Sequence, residues 1–481
     1  AMANGGIIGT VNTPTSTTAT GVWQQEEQYE AVRNETWPSR SLFTTKSLRF
    51  NSASSDRLNK TLGTPTNNYK WTYSFWIKRS KLGEEVAITE AINNSQNKGL
   101  ILFRSDDQLE IIDLISDSYA MQKKTNRKFR DVSAWYHIVF SNDSTVGSPD
   151  LKIYVNGVEE TSLATDNEYS QNQAGSFNSA LANHIGASAS SRFSNCYFSE
   201  FIFIDGQALT PTSFGVANSD GVWTPIPYSG TFGNNGFNLQ FENSAALGTD
   251  SSPNGNTFTV NNLTSIDQST DYPENNFATG NPLLNYNPQL TEGNLLLTSS
   301  GTAWKNSMST IGLTSGIWYH EVKIITESGV PYGLIGVTDS YHPNSWGASP
   351  PNYLGIGALQ IGYYNDNGTY YQNDGQQSYS GNGFGANDII GVLLNLDAGT
   401  PTIKFYKNDA DQGAINLPTN SNSTGLWFFM QSVYKQTMSV NYGSPALAIS
   451  SGNQDGNGYG NFEYATKGGY TLNTANLAEF G

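Results

Sequence analysis

Cysteine is almost absent. Cys196 is the only one in 481 residues, so no intrachain disulfide can form, which fits synthesis in a reducing cytoplasm. Charge is also scarce, at 14% of residues, and it is lopsided: 25 basic against 41 acidic side chains give a formal net charge of −16. That balance argues against a nucleic-acid partner, because phosphate binding needs clustered Lys and Arg; the acidity mainly favours solubility. No window approaches the about 20 apolar residues of a membrane-spanning helix, so no membrane insertion is expected. Residues 1–20 lack a basic start and a long apolar run, so no signal peptide is expected either. Amphipathic helical stripes are few.

What the chain has in quantity is aromatic residues, at 12%, together with Gly, Asn, Ser and Thr. Low charge with many aromatics suits sheets whose faces carry Tyr, Thr and Trp. Asn-Gly pairs recur, among them Asn156-Gly157 and Asn367-Gly368, and they supply the positive φ of tight hairpins. The chain reads as all-β, and its length exceeds what one core supports.

Five segments follow from the pattern. Residues 1–45 are small and polar, then carry a short helix candidate ending before Pro38; they read as an extended N-terminal arm that docks on another protein, with a disordered leader as the other reading. From residue 46 to 242 strand alternation takes over. In "WTYSFWIKRS", Trp71, Tyr73, Phe75 and Ile77 share one face, the expected core face, and Trp76 and Lys78 share the other. Residues 243–292 are Asn-, Ser-, Thr- and Pro-rich and read as a polar connector with short strands, where a protease is expected to cut first. A second alternating region spans 293–447, and a tail spans 448–481.

Two strings, "WYHIVF" from Trp135 and "WYHEVK" from Trp318, share four of six letters. Their flanking motifs differ completely, so they read as convergence on a strand with large residues and not as an internal repeat.

The motifs "SLRFNSASSDRL", "YSFWIKRS", "AWYHIVFSNDS", "LKIYVNGVEE" and "FSEFIFIDGQALTPTSFG" resemble the laminin-G-like, concanavalin A-like jelly roll over about 46–214. The resemblance implies two packed antiparallel sheets that bind glycans or proteins, sometimes with calcium. "GIWYHEVKI", "PYGLIGVTD" and "DIIGVLLNLDAG…IKFYKND" resemble the SPRY domain over about 293–447, which implies a β-sandwich binding partners through loops at one end. Two antiparallel sandwiches are therefore expected. The two ends, "GGIIGTVNTPTSTTATGVW" and "GNGYGNFEYATKGGYTLNTANLAEF", resemble structural proteins of tailed bacteriophages, marine ones in particular. That resemblance implies a virion component, a tail fibre or surface appendage, attached to other virion proteins by its arm. Self-association, as a trimer for example, has no heptad to support it.

Catalysis finds little footing. Glycoside cleavage needs two carboxylates about 5–10 Å apart. Glu110 and Asp113 stand three apart in a strand, on opposite faces, as do Glu85 and Glu90 at five. Glu84 shares a face with Glu90, but six strand residues span roughly 20 Å. Cys196 reads as a small buried apolar group, and His137, His184, His320 and His342 form no spaced metal cluster. The chain is expected not to be an enzyme. One turn has two readings: "GTDSSPNGNTF" offers Asp250, Asn254 and Asn256 as oxygen ligands for Ca2+, or forms a bare Asx turn. The string resembles a laminin-G-like segment, with Pro253 where that family has Gly.

Recognition is expected on loops. The stretch "SYHPNSWGASPPNYLG" reads as a long loop in which Trp346 and Tyr353 either meet a host-surface glycan or protein or, for Trp346, cap the sandwich. Tyr363, Tyr364, Tyr370 and Tyr371 flank the Asn367-Gly368 turn and are expected to pack across a hairpin. A host-binding virion protein is the leading expectation. The alternatives are a decoration protein of the capsid or tail without ligand, and a bacterial surface adhesin.

Overall fold

Period-two alternation builds both halves of the molecule. The computed structural model describes residues 44–148, 150–283, 289–301, 303–340 and 353–481, and Thr44–Gly481 forms one compact unit. Strand takes 46% and helix 3%, so the all-β expectation holds. The arm expected at 1–45 lies outside the described residues except for Thr44 and Thr45. Thr45 is tied to the first half by its amide, which donates to Glu242 Oε1 at 2.9 Å.

The first half packs two eight-stranded sheets. At the centre of one, Lys70–Arg79 lies between Tyr136–Asp143 and Cys196–Asp205. The other places Asn97–Phe103 between Val86–Asn94 and Gln108–Ile115. Trp71, Tyr73, Phe75 and Ile77 meet the second sheet in the shared core, as their alternation predicts. The Phe75 ring stacks on Phe201 with centroids 4.9 Å apart. The Asn-Gly signal also holds: Asn156 and Gly157, both at positive φ, turn Leu151–Val155 into Val158–Glu159.

The outer face of the first sheet is buried as well. Residues 206–233 fold back over it, so Val139, Ile202 and Ile204 pack under Phe214 and Phe232, and Trp76 packs with Trp135, Tyr197 and Trp223. His137 lies between the Trp76 and Trp223 rings. Trp223 Nε1 donates to its Nδ1 at 2.9 Å, which leaves Nε2 protonated and facing Ser74 Oγ at 2.9 Å. Burial pushes the imidazole down to about 3, so this histidine is a neutral packing element.

The two similar strings present opposite faces. In "WYHIVF" the core takes Tyr136, Ile138 and Phe140, while Trp135, His137 and Val139 face outward under the covering segment. In "WYHEVK" the core takes Trp318 and Val322, with His320 against Phe429 on the same face, while Tyr319 and Glu321 face outward. The Glu321 carboxylate accepts from the amides of Glu463 and Tyr464 at 2.9 and 2.8 Å. One string in two opposite registers is convergence, not duplication.

The second half is built around two long strands, Ile317–Asp339 and Trp427–Asn441, paired antiparallel along nearly their whole length. The first half of Ile317–Asp339 also pairs with Ile389–Asn395, and its second half pairs with Gln360–Tyr364. The chain end closes the fold. Tyr470–Thr471 adds in parallel to Trp318 and Tyr319, and a short helix, Thr474–Phe480, brings Phe480 onto the Tyr470 ring at 3.8 Å.

Between the halves runs the segment whose composition reads as a connector. It does hold short strands: Thr259–Asn261 extends one sheet of the first sandwich and Gln268–Ser269 the other. From Ser269 to Gly280 it is mostly buried, because its polar groups meet buried partners. Lys78 sends its ammonium to Asp271 Oδ2 at 2.6 Å, Asn276 Oδ1 at 2.7 Å and the Phe277 carbonyl at 2.8 Å. Trp135 Nε1 donates to Asp271 Oδ1 at 2.9 Å. Arg49 donates to the Ile266 carbonyl at 3.0 Å and to Asp267, and Tyr197 donates to the Gly293 carbonyl at 2.9 Å. On the other side, Ser269 Oγ meets Ser444 Oγ at 2.7 Å, and Ala278 and Thr474 exchange backbone bonds with Leu472 and Asn276. A protease entering at 269–280 would have to open this junction first.

Two outcomes are expected. Asp271→Ala strands the Lys78 ammonium, whose side chain is 1% exposed, without its counter-charge. Urea denaturation should show a loss of about 3–5 kcal/mol. Beside Arg49, Asp56 is 1% exposed. Burial, helped by Asp267 and Glu292 and opposed by the Asn51 amide and Arg49, pushes its carboxyl up to about 7. An unfolded Asp titrates near 3.9, so the folded state binds the proton more tightly. That stabilisation is complete below about pH 4 and is lost as pH rises through about 7. The urea midpoint should fall across this window, and Asp56→Asn should flatten the fall.

Candidate ligand-binding site

The long strand pair also creates a concave aromatic surface. Ile335 and Val337 enter the core of the second half, so Tyr332 and Leu334 fall on the opposite face. Register sets Tyr434 directly across from Tyr332, and Tyr364 across from Leu334 on the other side. The hairpin after Tyr364 returns Tyr371 opposite Gly362. Trp304 arrives at the head of Lys305–Met308, which pairs with Met430–Val433. Tyr353 is held by its neighbour, since the Leu354 amide donates to Ser432 Oγ at 2.9 Å.

The result is a cavity of about 310 Å³ lined by Trp304, Tyr332, Leu334, Tyr353, Tyr364, Tyr371 and Tyr434. Its underside is packed by Leu334, Leu354 and Met430, each 0% exposed. Trp304, Tyr364 and Tyr434 lie at 22–32° to Tyr332 with centroids 6.0–6.3 Å away, which makes a platform. Tyr371 stands at 87° to Tyr364 as a wall, and Tyr353 tilts at 42° to Trp304, with centroids 5.2 Å apart, and at 80° to Tyr371. The Tyr353 hydroxyl donates to Asp374 Oδ1 at 3.0 Å. Burial first, then Asp374, pushes that phenol up to about 12, and burial also raises Tyr364 and Tyr371. These hydroxyls stay protonated at neutral pH; those of Tyr364 and Tyr371 can donate to a ligand, while the Tyr353 proton is given to Asp374.

Of the two recognition residues expected from sequence, Tyr353 is one of the lining rings, and Trp346 lies outside the described residues. The paired tyrosines divide by face. Tyr363 is 0% exposed in the core and Tyr370 packs against that core, whereas Tyr364 and Tyr371 line the cavity. Strand alternation in "YY…YY" contains that signal. Trp304, Tyr332 and Tyr434 join the site only through non-local register, which no local pattern reveals.

The Asp250 turn brings its three residues together, but with donors converging. Asp250 Oδ1 accepts from the amides of Asn238 and Ser252, both at 2.8 Å. Oδ2 accepts from Ser252 Oγ at 2.8 Å and the Asn256 amide at 2.6 Å. Asn254 and Asn256 donate to the Gly236 carbonyl at 2.8 and 3.0 Å. With both carboxylate oxygens already filled by protein donors, this set does not fit a Ca2+ site; it fits the Asx turn. Among the described residues no three His, Cys, Asp or Glu side chains form a metal cluster. Two of the carboxylates weighed for hydrolysis are engaged too. Glu110 meets Arg104 and Gln122, while Asp113 takes Tyr169 and Ser176 on the other face. Cys196 is buried in the first core, which raises its thiol pKa. A chelator is therefore expected to leave the melting temperature unchanged, whereas Asp250→Ala should cost about 1–3 kcal/mol by stranding buried amides.

Comparison with known proteins agrees with this architecture. Residues 52–214 match the Laminin_G_3 family, described as the concanavalin A-like lectin/glucanases superfamily. Residues 317–445 match the SPRY domain. No curated protein matches the chain. Similar solved structures include the SPRY domain of human HERC1, 18% identical over 30% of this chain and 87% of that one, with a TM-score of 0.25. A Bacteroides ovatus protein named for a proposed carbohydrate-binding role is 15% identical over 45% and 58%, at 0.31. The heptameric pentraxin of Limulus polyphemus is 16% identical over 36% and 80%, at 0.27. The chain carries a concanavalin A-like domain of the laminin G kind followed by a SPRY domain.

Proposed function

We propose that the chain is a non-enzymatic recognition protein of a tailed-phage virion, a tail fibre or surface appendage, and that it binds a host-surface glycan or protein through the aromatic cavity of its SPRY half. The observation that carries this reading is the cavity itself. Six half-buried rings, Tyr353 among them, converge on one face of the second half. Large aromatics left partly exposed and convergent mark binding surfaces. Domains of both kinds are typically non-catalytic binding domains, and Glu110 and Asp113, both weighed for hydrolysis, serve structural hydrogen bonds. The virion setting rests on the resemblance of the two chain ends to phage structural proteins, and attachment through residues 1–45 belongs to the same proposal.

The test uses the full chain, because the halves share a buried junction. Tyr353→Ala combined with Tyr332→Ala should weaken binding to a panel of bacterial envelopes at least about tenfold, equivalent to about 1.4 kcal/mol, with little change in melting. Monomeric protein is needed, since avidity hides modest losses. Unchanged binding by this double variant would remove the cavity from recognition. Absence of binding to any envelope would favour a decoration protein without ligand.

A further inference from the structure

We infer that the aromatic cavity takes a neutral sugar ring, an uncharged hexose unit at the end or along the side of a glycan. This inference rests on the reading of the cavity as a recognition site and names its ligand class.

Charge gives the first argument. Among the described residues no Lys, Arg or His lines the cavity, so an anionic group would enter without the charge-assisted partner that fixes carboxylates, sulfates and phosphates. Lys435 is near, but its ammonium sits over the Tyr434 ring at 5.6 Å from the centroid and is not part of the lining. Asp374 stands beside Tyr353, and the chain as a whole carries a net charge of −16. Both oppose an anion.

Shape gives the second. A quaternary ammonium is best held by rings that face it from several sides at close range. Here Trp304, Tyr364 and Tyr434 lie at 22–32° to Tyr332 as a shallow platform, Tyr353 tilts at 42° to Trp304, and Tyr371 stands as a wall. A platform suits a ligand with a flat face, and the C–H face of a pyranose meets the electron-rich π face of Trp304, Tyr332, Tyr364 or Tyr434. The rim suits the hydroxyl edge of the same sugar: the raised phenols of Tyr364 and Tyr371 donate, while the Tyr353 oxygen, its proton given to Asp374, and exposed Asp374 itself accept. One molecule with an apolar face and a hydroxylated edge satisfies both surfaces without leaving a buried polar group unpaired.

Size gives the third. Ligand cavities run from about 300 to 1,000 Å³, so about 310 Å³ is at the small end. It admits a ring-sized unit and not a folded peptide segment.

The test is ligand-observed NMR on the full chain with the methyl glycosides of glucose, galactose, mannose and N-acetylglucosamine. Parallel arms use N-acetylneuraminic acid, tetramethylammonium and a proline-rich decapeptide. The expected result is saturation transfer to the ring protons of at least one neutral glycoside. Tyr332→Ala and Tyr371→Ala should each weaken it at least about tenfold, while Tyr332→Phe keeps most of it and Tyr371→Phe loses only the share of the hydroxyl. Trp304→Phe should remove the ligand-dependent change in tryptophan emission. Binding of the acid, the cation or the peptide at the same rings, with no neutral glycoside bound, would overturn the inference. So would neutral-sugar binding that the ring variants leave intact. If those variants lose envelope binding while no neutral glycoside binds, the recognition reading stands and the sugar assignment falls. If they lose sugar binding but keep envelope binding, the sugar site stands and its recognition role falls.

Discussion

The ion pair between Lys78 and Asp271 is the contact on which the rest of the arrangement depends. A buried ammonium is tolerated only when its charge is paired and its protons are all used. Here the three protons find Asp271, Asn276 and the Phe277 carbonyl, and Asp271 in turn holds the Trp135 indole. Lys78 is on the outer face of the first sheet, whereas its partners lie in the segment that leads to the second half. The pair therefore fixes where that segment runs. Once it is fixed, Ser269 meets Ser444 and Ala278 meets Leu472, so the second half is held against the first through both its long strand and its chain end.

This explains why some of the fold was legible in sequence and some was not. Alternation is local, so Trp71, Tyr73, Phe75 and Ile77 could be assigned to a core face from the string alone, and Asn156-Gly157 to a turn. Composition was a poorer guide at 243–292. Asn, Ser and Asp ordinarily mark exposed connectors, but Asp271 is buried against Lys78 on a distant sheet, Ser269 against Ser444, and Asn275 where it accepts from the Ala475 amide. A polar segment that satisfies buried polar groups looks in sequence like one that meets water. The outer face of Lys70–Arg79 was hidden for the same reason: nothing local says that residues 206–233 return to cover Trp76.

The site divides along the same line. Tyr353 was legible as an aromatic among loop residues, and Tyr364 and Tyr371 were implicit in the doubled tyrosines around a hairpin turn. Tyr332 and Tyr434 are 102 positions apart and become one surface only because the two longest strands pair in that register. Trp304 needs a third strand. The Asp250 turn shows the converse limit. Three oxygen-bearing residues at calcium-like spacing did come together, but which of their atoms face inward is set by the amides around them, and those amides supply donors.

The cavity and the junction share one stretch of chain. Trp427–Asn441 carries Tyr434 into the cavity, and three residues past its end Ser444 bonds to Ser269 at the junction. A strand with the Met430, Val433 and Met438 side chains fully buried along its length does not bend cheaply, because packed cores resist small displacements. The rings of the platform are therefore held by the same packing that joins the two halves. Their ordering cost falls on folding and not on binding, and such preorganisation raises the affinity obtained from a small contact area. For a cavity that admits only a ring-sized unit, contact area is what is scarce. Rigidity transmitted from the junction is then a condition for useful affinity, and the buried polar contacts between the halves serve the site as much as the fold.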